Sequence, residues 1–363
     1  MSGINRRIQS AVKWGEAIEN ELEKISKQEG CRLSDVLKRA VAENAWFDEG
    51  NVLHALEAIR ESLRKESVEE WINSYTSFFE YELPEMDVAV VNAGNIPFVG
   101  FHDLLTVFLS GNRYTGKNAT GDSCLLPFLA DLLISVQPDL ASKINFVPRI
   151  GKMDAVIATG SNNSSHYFEY YFGKYPHVIR KNRNGICVLN GNETNEQLRL
   201  LGSDIFTYYG LGCRNISKIY APENYLFDRL FEAIYEYNHV MQHLRYMNNF
   251  DYNNSVFLLK RMPFLQNGFL ILREESQIAS PVAVVHYEIY KDKNELREQL
   301  VNDGEQIQCV VSADNFFAGD ARLKSKTVDF GRTQRPRLAD YADGVDTLKF
   351  LMDAKREAAT IKK

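Results

Sequence analysis

The chain has 363 residues, of which 45% are apolar, and its formal net charge is −6 at pH 7. This length predicts two domains with full hydrophobic cores, and an acidic chain without a basic stripe argues against nucleic acid as a partner. Residues 1–30 are charged throughout and no apolar run reaches ~18 residues, so we predict neither a secretory signal nor an integral membrane segment.

The five cysteines lie far apart in the sequence, at Cys31, Cys124, Cys187, Cys213 and Cys309. They are odd in number and none belongs to a CxxC pair, a pattern typical of reduced thiols rather than of disulfides or a zinc site. We therefore predict a cytoplasmic protein without a metal site.

Residues 1–82 are predicted to form an N-terminal helical segment, because apolar residues recur there at near-helical spacing between charges. From residue 83 the pattern changes to short β-branched runs that alternate with helices. The predicted strands are residues 87–91, 144–147 and 154–158, and the predicted helices are residues 97–110, residues 123–136 and a helix ending at Tyr171. Pro97 suits the first turn of its predicted helix.

The alternation continues in the second half of the chain. The predicted strands are residues 186–189, 219–221, 269–272, 282–285 and 309–311, and the predicted helices are residues 195–209 and 227–247. Strands that alternate with helices predict an α/β fold with parallel sheets covered on both faces. We divide the chain into a first domain at residues 83–183, a second at residues 184–335 and a C-terminal segment at residues 336–363.

Cys213 follows Gly210 and Gly212 on a predicted turn between a helix and a strand. A nucleophilic thiol needs partial exposure and nearby backbone N–H groups that favour the thiolate and an oxyanion. The alternative is a buried structural cysteine, which is the commoner role of a lone cysteine.

Two further turns join a predicted strand to a helix, where ligands collect in open α/β sheets. In the first, the amide of Asn95 could face a developing oxyanion; the alternative is that Asn95 caps the helix opened by Pro97. In the second, Gly160 allows close approach to the backbone, and Ser161 with the following N–H groups could bind a pyrophosphate. The alternative is a simple capped turn.

In this order and spacing, these motifs resemble the LuxC-type acyl-CoA reductases of the aldehyde dehydrogenase superfamily, from Ala89 to the C-terminus. Asn95 with Pro97 resembles the Asn-aromatic-Pro turn that helps form the oxyanion hole. Gly210 and Cys213 resemble the Gly-x-x-Cys of the nucleophile. Residues 279–282 resemble the Gly-Pro-Val segment, and residues 340–349 resemble the C-terminal segment of short LuxC-like proteins.

The same resemblance implies the cofactor contacts. Lys117 matches the lysine that contacts the ribose, and Thr159, Gly160 and Ser161, with Asn162 after them, match the Thr-Gly-Ser cofactor loop. Gln277 stands where the family has a glutamate that holds the nicotinamide ribose.

Two other departures from the family pattern concern the cofactor loop and the general base. Ser165 stands where the cofactor loop often has a second glycine. Residues 180–185 match the Glu-Leu-Gly-Gly stretch of oxidising aldehyde dehydrogenases but contain no carboxylate. Without that base, water is poorly activated to hydrolyse an acyl-enzyme, which favours a reductase.

The resemblance therefore implies an aldehyde-dehydrogenase-like fold with two Rossmann-like parallel-sheet domains behind the N-terminal helices. It implies reduction of an acyl-CoA, of the fatty acyl class, by NADPH or NADH through an acyl-Cys213 intermediate. A homodimer and an acyl-transferring partner protein are the assemblies that it suggests. An acyl-phosphate reductase and a non-catalytic subunit on the same fold remain the alternatives.

Overall fold

The structure is a computed structural model that describes residues 3–80, 83–160, 162–313, 317 and 321–361. The chain forms two compact units, one made of Met1–Lys181 with Arg337–Lys363 and the other of Asn182–Pro336. The nucleotide-binding role of residues 83–183 and the catalytic role of residues 184–335 stay predictions.

Thirteen α-helices and twelve strands occur in the described ranges, together with short 3₁₀ segments. The helices are α1 Gly3–Ser26, α2 Arg32–Glu43, α3 Glu49–Ser62, α4 Lys65–Asn73, α5 Phe101–Leu109, α6 Leu125–Val136, α7 Asn162–Phe172, α8 Asn195–Phe206, α9 Asp228–Ala233, α10 Leu244–Leu259, α11 Lys293–Asn302, α12 Ala321–Lys326 and α13 Thr347–Ile361. The strands are β1 Asp87–Val91, β2 Arg113–Lys117, β3 Ile144–Phe146, β4 Ala155–Thr159, β5 His177–Arg180, β6 Asn184–Val188, β7 Ile216–Pro222, β8 Leu265–Gln266, β9 Ile271–Glu274, β10 Val284–Tyr290, β11 Ile307–Ser312 and β12 Thr327–Val328.

The first unit is built on a parallel five-stranded sheet of order β3-β2-β1-β4-β5. Its central strands β1 and β4 are short β-branched runs that are almost wholly buried, as expected for a sheet covered on both faces. The predicted N-terminal helical segment is confirmed, because α1–α4 precede the sheet and α1 packs against α5 and α6. Trp14 and Ile18 of α1 are fully buried in that contact layer.

The C-terminal segment returns to this first unit and packs there by polar and aromatic contacts. The Tyr341 hydroxyl accepts a hydrogen bond from Trp71 Nε1 at 2.6 Å and shares another with the Tyr75 hydroxyl at 2.6 Å. Tyr75 also donates to Asp346 at 2.8 Å. Helix α13 then packs against α5, so residues far apart in sequence share one core.

The second unit contains a seven-stranded sheet of order β12-β11-β6-β7-β10-β9-β8, parallel except for the antiparallel edge strand β8. Strands β6 and β11 are buried along nearly their whole length. The predicted α/β class with two parallel sheets is therefore confirmed. None of the helices in the described ranges has both the length and the apolar character needed to cross a bilayer.

The predicted helix of residues 97–110 begins later than expected. Pro97 lies in a turn rather than in the first helical turn, because Phe98 adopts a φ of 55° and a left-handed residue cannot continue an α-helix. Helix α5 begins at Phe101 with Gly100 as its N-cap.

The prediction of one long helix over residues 227–247 was wrong. The chain forms α9, then a 3₁₀ segment at Tyr235–Gln242, and then α10. His243 has an extended conformation (φ −83°, ψ 113°) and its side chain accepts a hydrogen bond from Tyr246 N, so it caps α10 instead of continuing a helix. Apolar periodicity alone could not show this interruption, because a capped break preserves nearly the same spacing of apolar residues.

Candidate active site

The carboxyl ends of β1, β2 and β4 meet at one edge of the first sheet. Val91, the last residue of β1, is paired with Lys117 of β2 and with Ala158 of β4. The chain places β2 and β3 on one side of β1 and places β4 and β5 on the other, so β1 and β4 flank a topological switch point. Ligands of open parallel sheets bind at such a crevice. The loops that follow β1 and β4 carry Asn95 and Gly160.

The structure thus brings three of the predicted site residues, Asn95, Lys117 and Gly160, to one edge of the first unit. Lys117 ends β2 with an exposed side chain. Asn162 begins α7, but its side chain and the whole of Ser161 lie outside the described residues. Gln277 belongs to the second unit.

Asn95 is exposed, and two hydrogen bonds to neighbouring residues hold the loop on which it lies. Asn92 N donates to Lys117 O at 2.9 Å, and Asn44 Nδ2 donates to Gly94 O at 3.0 Å. Asn95 does not cap α5, since Gly100 is the N-cap, so the capping alternative is wrong. The exposed amide is compatible with contact to a ligand.

Asn92 is a structural contributor that sequence reasoning missed. Its side chain is buried, and Nδ2 donates to the Tyr114 hydroxyl and to Asn118 Oδ1, both at 3.0 Å. These bonds tie the end of β1 to β2 and to the segment that follows Lys117. The available signal was a polar residue placed directly after a buried strand, where an unpaired amide would be costly.

Gly160 is required by packing within its own strand–helix turn. A Cβ at this position would lie 2.7 Å from the Phe168 ring and 2.9 Å from Ser164 Cβ. Gly160 N also donates to Arg180 O at 3.4 Å, which joins the loop to β5. Glycine therefore allows α7 to start directly after β4, with its N-terminal backbone near the switch point.

A buried ion pair lies next to the loop that follows β4. Arg180 binds both carboxylate oxygens of Asp103, at 2.6 and 2.7 Å, and also donates to Thr347 Oγ1 at 3.0 Å. Arg180 is 6% exposed and Asp103 is 3% exposed, so each charge depends on the other for compensation. A weaker contact of 3.4 Å from Arg180 to Thr159 Oγ1 reaches the residue before Gly160.

Tertiary structure adds a carboxylate beside the stretch of residues 180–185. Asp343, from the C-terminal segment, accepts a hydrogen bond from Lys181 N at 3.1 Å. Arg180 itself is buried in the ion pair with Asp103. The stretch contains no acidic residue, but the carboxylates of Asp103 and Asp343 are hydrogen-bonded to its first two residues.

In the second unit, Cys213 lies on a strained turn between α8 and β7. Tyr208 (φ 54°, ψ 26°), Tyr209 (φ 57°, ψ 26°) and Gly210 (φ 77°) are three consecutive left-handed residues. A non-glycine residue in this region costs on the order of 1–3 kcal/mol, so the surrounding structure must hold it in place. Cys213 is exposed, and the alternative of a buried structural thiol is therefore wrong.

The side chain of Asn215 holds the turn. Asn215 is 3% exposed, and its Oδ1 accepts from Gly212 N at 2.8 Å. Its Nδ2 lies within hydrogen-bond distance of three carbonyl oxygens at the end of α8, those of Asp204 (3.0 Å), Ile205 (3.3 Å) and Thr207 (2.8 Å). Asp204 and Ile205 lie in the last turn of α8 and Thr207 is its C-cap, positions where carbonyls have no α-helical i+4 donor. Sequence reasoning did not identify Asn215.

A second network of hydrogen bonds involves Asp204 and Arg214, which lie on either side of the same turn in sequence. Arg214 Nε donates to Thr333 O at 2.6 Å, and Cys309 Sγ donates to Arg214 O at 3.5 Å. Asp204 accepts hydrogen bonds from Gly331 N at 2.7 Å and from both N (3.0 Å) and Oγ1 (2.7 Å) of Thr333. Burial raises the pKa of the Asp204 carboxyl to about 6, against the opposing effect of these donors.

Gln277 is exposed on the loop between β9 and β10, which is fixed by two buried side chains. His286 Nδ1 lies 2.8 Å from Gln277 O, and burial lowers the pKa of this imidazole, which favours a neutral ring that donates from Nδ1. Lys218 is fully buried and donates to Glu275 O and, at 3.0 Å, to Glu288. Burial lowers the pKa of Lys218, while the contacts to Glu288 oppose that shift.

Within the second unit, the turn before Cys213 borders the segment that resembles Gly-Pro-Val. Gly210 and Gly212 line a cavity of about 40 Å³ together with Pro281 and Val282. This volume accommodates water molecules but not an acyl chain. Within the described ranges, no three His, Cys, Asp or Glu side chains are grouped in a way that would hold a metal ion.

Comparison with solved structures identifies the fold. The chain is similar to aldehyde dehydrogenase 21 from Physcomitrella patens, solved with the product succinate, with a TM-score of 0.61 and 13% identity over 97% of this chain and 88% of that one. It is similar to the P. syringae AldA indole-3-acetaldehyde dehydrogenase, solved with NAD⁺ and IAA, with a TM-score of 0.63 and 12% identity over 90% and 76%. The Mycobacterium tuberculosis Δ-pyrroline-5-carboxylate dehydrogenase matches with a TM-score of 0.58 and 10% identity over 90% and 70%.

A search of curated protein sequences found no match. The family model described as acyl-CoA reductase (LuxC) matches residues 9–225, which is more than half of the chain and includes Asn95, Lys117, Gly160 and Cys213. The structural neighbours share the aldehyde dehydrogenase fold. The chain therefore belongs to the LuxC family of acyl-CoA reductases and is an oxidoreductase of acyl or aldehyde groups.

Proposed function

We propose that the protein reduces a fatty acyl-CoA to the aldehyde with NADPH or NADH, through a thioester on Cys213. The observation that carries this proposal is the exposed Cys213 on a strained turn, in a chain of the acyl-CoA reductase family. Such a turn holds a thiol at a fixed place with backbone donors nearby, as a nucleophile requires.

In the first half-reaction, the Cys213 thiolate attacks the thioester carbonyl carbon. A new C–S bond forms, the carbonyl oxygen becomes an oxyanion, and collapse of this intermediate breaks the bond to coenzyme A, which leaves as the thiolate. We assign stabilisation of the oxyanion to the Asn95 amide and the Cys213 backbone N–H. Gly212 N is already bound to Asn215, so it is not a candidate donor.

In the second half-reaction, the acyl-enzyme is reduced. A nicotinamide cofactor, when bound, would supply the hydride to the acyl carbonyl carbon, which gives the oxyanion of a thiohemiacetal on Cys213. Collapse of the thiohemiacetal releases the aldehyde and returns the thiolate. Splitting the reduction into two positioned steps lowers the demand on each one.

The first unit has features that fit a dinucleotide. The switch point between β1 and β4 is the place where open parallel sheets bind such ligands, and α7 begins directly after Gly160 at that edge. We assign Gly160, Ser161 and Asn162 to the pyrophosphate, Lys117 to the ribose and Gln277 to the nicotinamide ribose. The neighbour from P. syringae was solved with NAD⁺, which supports a nicotinamide cofactor in this fold.

The choice of reduction over acid formation rests on the missing base. Residues 180–185 contain no carboxylate, and Arg180 forms a buried ion pair with Asp103. Two acidic side chains are hydrogen-bonded to this stretch: Asp103 is paired with Arg180, and Asp343 accepts from Lys181 N. We expect hydrolysis of the acyl-enzyme to be slow, and an Asp343→Asn variant to leave the ratio of acid to aldehyde unchanged.

The test is oxidation of NADPH and NADH that depends on acyl-CoA, with chains from acetyl to palmitoyl, for the wild type beside Cys213→Ala. We expect aldehyde formation that is greatest with long chains and that disappears in the variant. No turnover with any acyl-CoA by folded protein would contradict the proposal. Turnover with an acyl phosphate instead would identify the sister reductase, and release of free acid would identify a dehydrogenase.

A companion measurement addresses cofactor choice. Lys117 is exposed at the edge of the switch point, where an ammonium can contact either a ribose hydroxyl or a 2′-phosphate. We propose NADPH as the preferred cofactor, so Lys117→Ala should raise the KM for NADPH more than that for NADH. An equal change in both KM values would contradict this preference.

We further propose a cytoplasmic homodimer that hands its product to, or receives its acyl group from, an acyl-transferring partner. A reducing compartment suits this chemistry, because Cys213 is exposed and must stay a thiol. Light scattering would give the oligomeric state directly.

A further inference from the structure

We infer that Asn215 is the residue that positions Cys213, by locking the left-handed Tyr208–Gly210 segment against the end of α8. The inference rests on the proposed function only in taking Cys213 as the nucleophile. Asn215 itself contacts no reacting atom in this assignment and acts through the turn.

The contacts of Asn215 lie on both sides of the strained segment. Its amide nitrogen lies close to the carbonyls of Asp204, Ile205 and Thr207, which precede the segment. Its amide oxygen accepts from Gly212 N, and its backbone N donates to Gly212 O at 3.0 Å, directly after the segment. One side chain therefore closes the loop that begins at the end of α8 and ends at Cys213.

This closure explains how the strained conformation persists. Tyr208 and Tyr209 would each be more stable outside the left-handed region, and only a surrounding structure with several fixed contacts holds such residues in place. Aromatic packing adds to the lock, since the Tyr209 ring lies 4.0 Å from the His243 ring and 6.1 Å from the Tyr246 ring. Packing of the rings supplies no hydrogen bond to the backbone carbonyls at the end of α8, whereas the Asn215 amide does.

The chemistry of the position selects asparagine. The side chain at this position has to accept a hydrogen bond from Gly212 N and, on its other side, donate to the carbonyls at the end of α8. A side-chain amide provides an acceptor and a donor on one short planar group. Aspartate offers the acceptor but, when ionised, no donor. Leucine has nearly the same size but offers neither, and it would leave Gly212 N and the carbonyls unsatisfied in a buried place.

The contact to Gly212 also defines which donors can act in catalysis. Gly212 N is bound to Asn215 and is not offered to the oxyanion, which we assign instead to the backbone N–H of Cys213. Asn215 thus aligns the peptide that precedes the nucleophile. A loss of this alignment should affect the reactivity of the thiol and the rate of acylation more than the binding of either ligand.

The experiment compares wild type, Asn215→Asp and Asn215→Leu in the full chain. The control is Asn267→Asp, which makes the same chemical change at a turn before β9, where the side-chain oxygen accepts from Phe269 N and Leu270 N. The first readout is the rate of alkylation of Cys213 by iodoacetamide from pH 5 to pH 10, followed on the Cys213 peptide by mass spectrometry. The second is steady-state kcat and KM, and the third is the melting temperature.

We expect Asn215→Leu to lower kcat about 100-fold, the effect of a misplaced reacting group, with KM for the cofactor changed less than about threefold. Alkylation of Cys213 should slow about tenfold at pH 7 and reach its plateau at higher pH, because the thiolate loses its aligned donors. Asn215→Asp should fall between this variant and the wild type, since it keeps the acceptor for Gly212 N. Asn267→Asp should match the wild type in alkylation and kcat.

A merely structural role predicts something different. Folded Asn215→Asp with a lower melting temperature but with wild-type kcat and a wild-type alkylation profile would overturn the inference, even if Asn215→Leu fails to fold. Alkylation also separates this inference from the proposed function. If no acyl-CoA is reduced but Cys213 alkylation still depends on Asn215, the positioning role stands and the reductase assignment fails.

Discussion

The candidate residues of the first unit and Cys213 of the second unit lie at opposite edges of their respective sheets. In the first unit, Asn95, Lys117 and Gly160 lie at the carboxyl edge of parallel strands, where the switch-point rule directs a search. In the second unit, Cys213 precedes β7 and therefore lies at the amino edge. The rule that predicts a ligand site from strand order locates the candidate cofactor loops but not the candidate nucleophile Cys213.

The two edges also differ in how their loops are held. The loop after β4 uses a glycine that lets a helix start close to its strand, with the Arg180–Asp103 ion pair beneath it. The turn before β7 contains left-handed tyrosines held by Asn215. A cofactor loop presents backbone to a bound ligand, whereas a nucleophile has to be held in place before the substrate arrives.

The largest effect should come from Cys213→Ala. We expect kcat to fall on the order of 10⁴-fold or more, because the proposed acyl-enzyme is formed on the Cys213 thiol. The melting temperature should be nearly unchanged, since substitution of an exposed side chain changes stability by about 0.5 kcal/mol or less. A progress curve of NADPH oxidation and a thermal melt suffice. A variant that retains turnover would remove the contrast between the two edges, because the amino-edge turn would then have no catalytic role.

Arg180→Met should produce the next largest effect, on the first unit. The substitution leaves the Asp103 carboxylate buried without its partner, which costs about 3–5 kcal/mol of unfolding free energy. In variants that remain folded, KM for the cofactor should rise, while alkylation of Cys213 should stay at the wild-type rate.

The matched control is Arg113→Met, which removes a partly exposed pair with Asp87 at 2.6 Å. Exposed pairs contribute about 0–1 kcal/mol, so this variant should lose little stability. Urea unfolding of both variants measures the difference. Equal losses would show that burial of the Arg180 pair has no special importance.

Asp204→Asn tests the hydrogen-bond network of Asp204 through the pH dependence of the unfolding free energy. In the folded chain the pKa of Asp204 is raised by burial to about 6, above the ordinary value of 3.8, so the unfolded chain ionises first as the pH rises. Stability from this group is therefore greatest at low pH and falls by about 3 kcal/mol between roughly pH 4 and pH 6. The neighbouring charge of Arg214 opposes the shift.

Asparagine does not titrate, so the stability difference between wild type and Asp204→Asn should be larger at pH 4.5 than at pH 7. Thermal melts at both pH values give that difference. A difference that grows toward pH 7 would mean that the pKa of the folded Asp204 carboxyl lies below its ordinary value. The three hydrogen-bond donors would then lower this pKa by more than burial raises it.

The smallest effect should come from Thr194→Ala at the other end of α8. Thr194 accepts from Gln197 N at 3.1 Å and the Gln197 side chain accepts from Thr194 N at 2.9 Å, which forms a capping box. Its loss costs about 1 kcal/mol. Activity should remain that of the wild type, because the strain is confined to the opposite end of the helix. A large loss of kcat would show that the whole of α8, and not its last turn, positions Cys213.

Much of the architecture could be predicted from local pattern. The buried strand at residues 87–91 and the helix capped by Thr194 follow from β-branched composition and capping chemistry, which are properties of neighbouring residues. The start of α5 and the break at His243 could not, because both depend on a single backbone conformation that apolar spacing does not encode. Asn92 and Asn215 were missed for a related reason, since their partners are defined only after strands and helices pack.

By itself, the sequence determined the α/β class, the N-terminal helices and the order of the motifs that place the chain in its family. Those features depend on residue type and spacing along the chain. Tertiary structure alone decided that Arg180 pairs with Asp103, that Asp343 reaches Lys181, and that one asparagine closes the turn before Cys213. The first two contacts join residues that are distant in sequence, and the third folds a short segment of the chain back on itself. The free energy of each contact depends on burial, which only the packed chain defines.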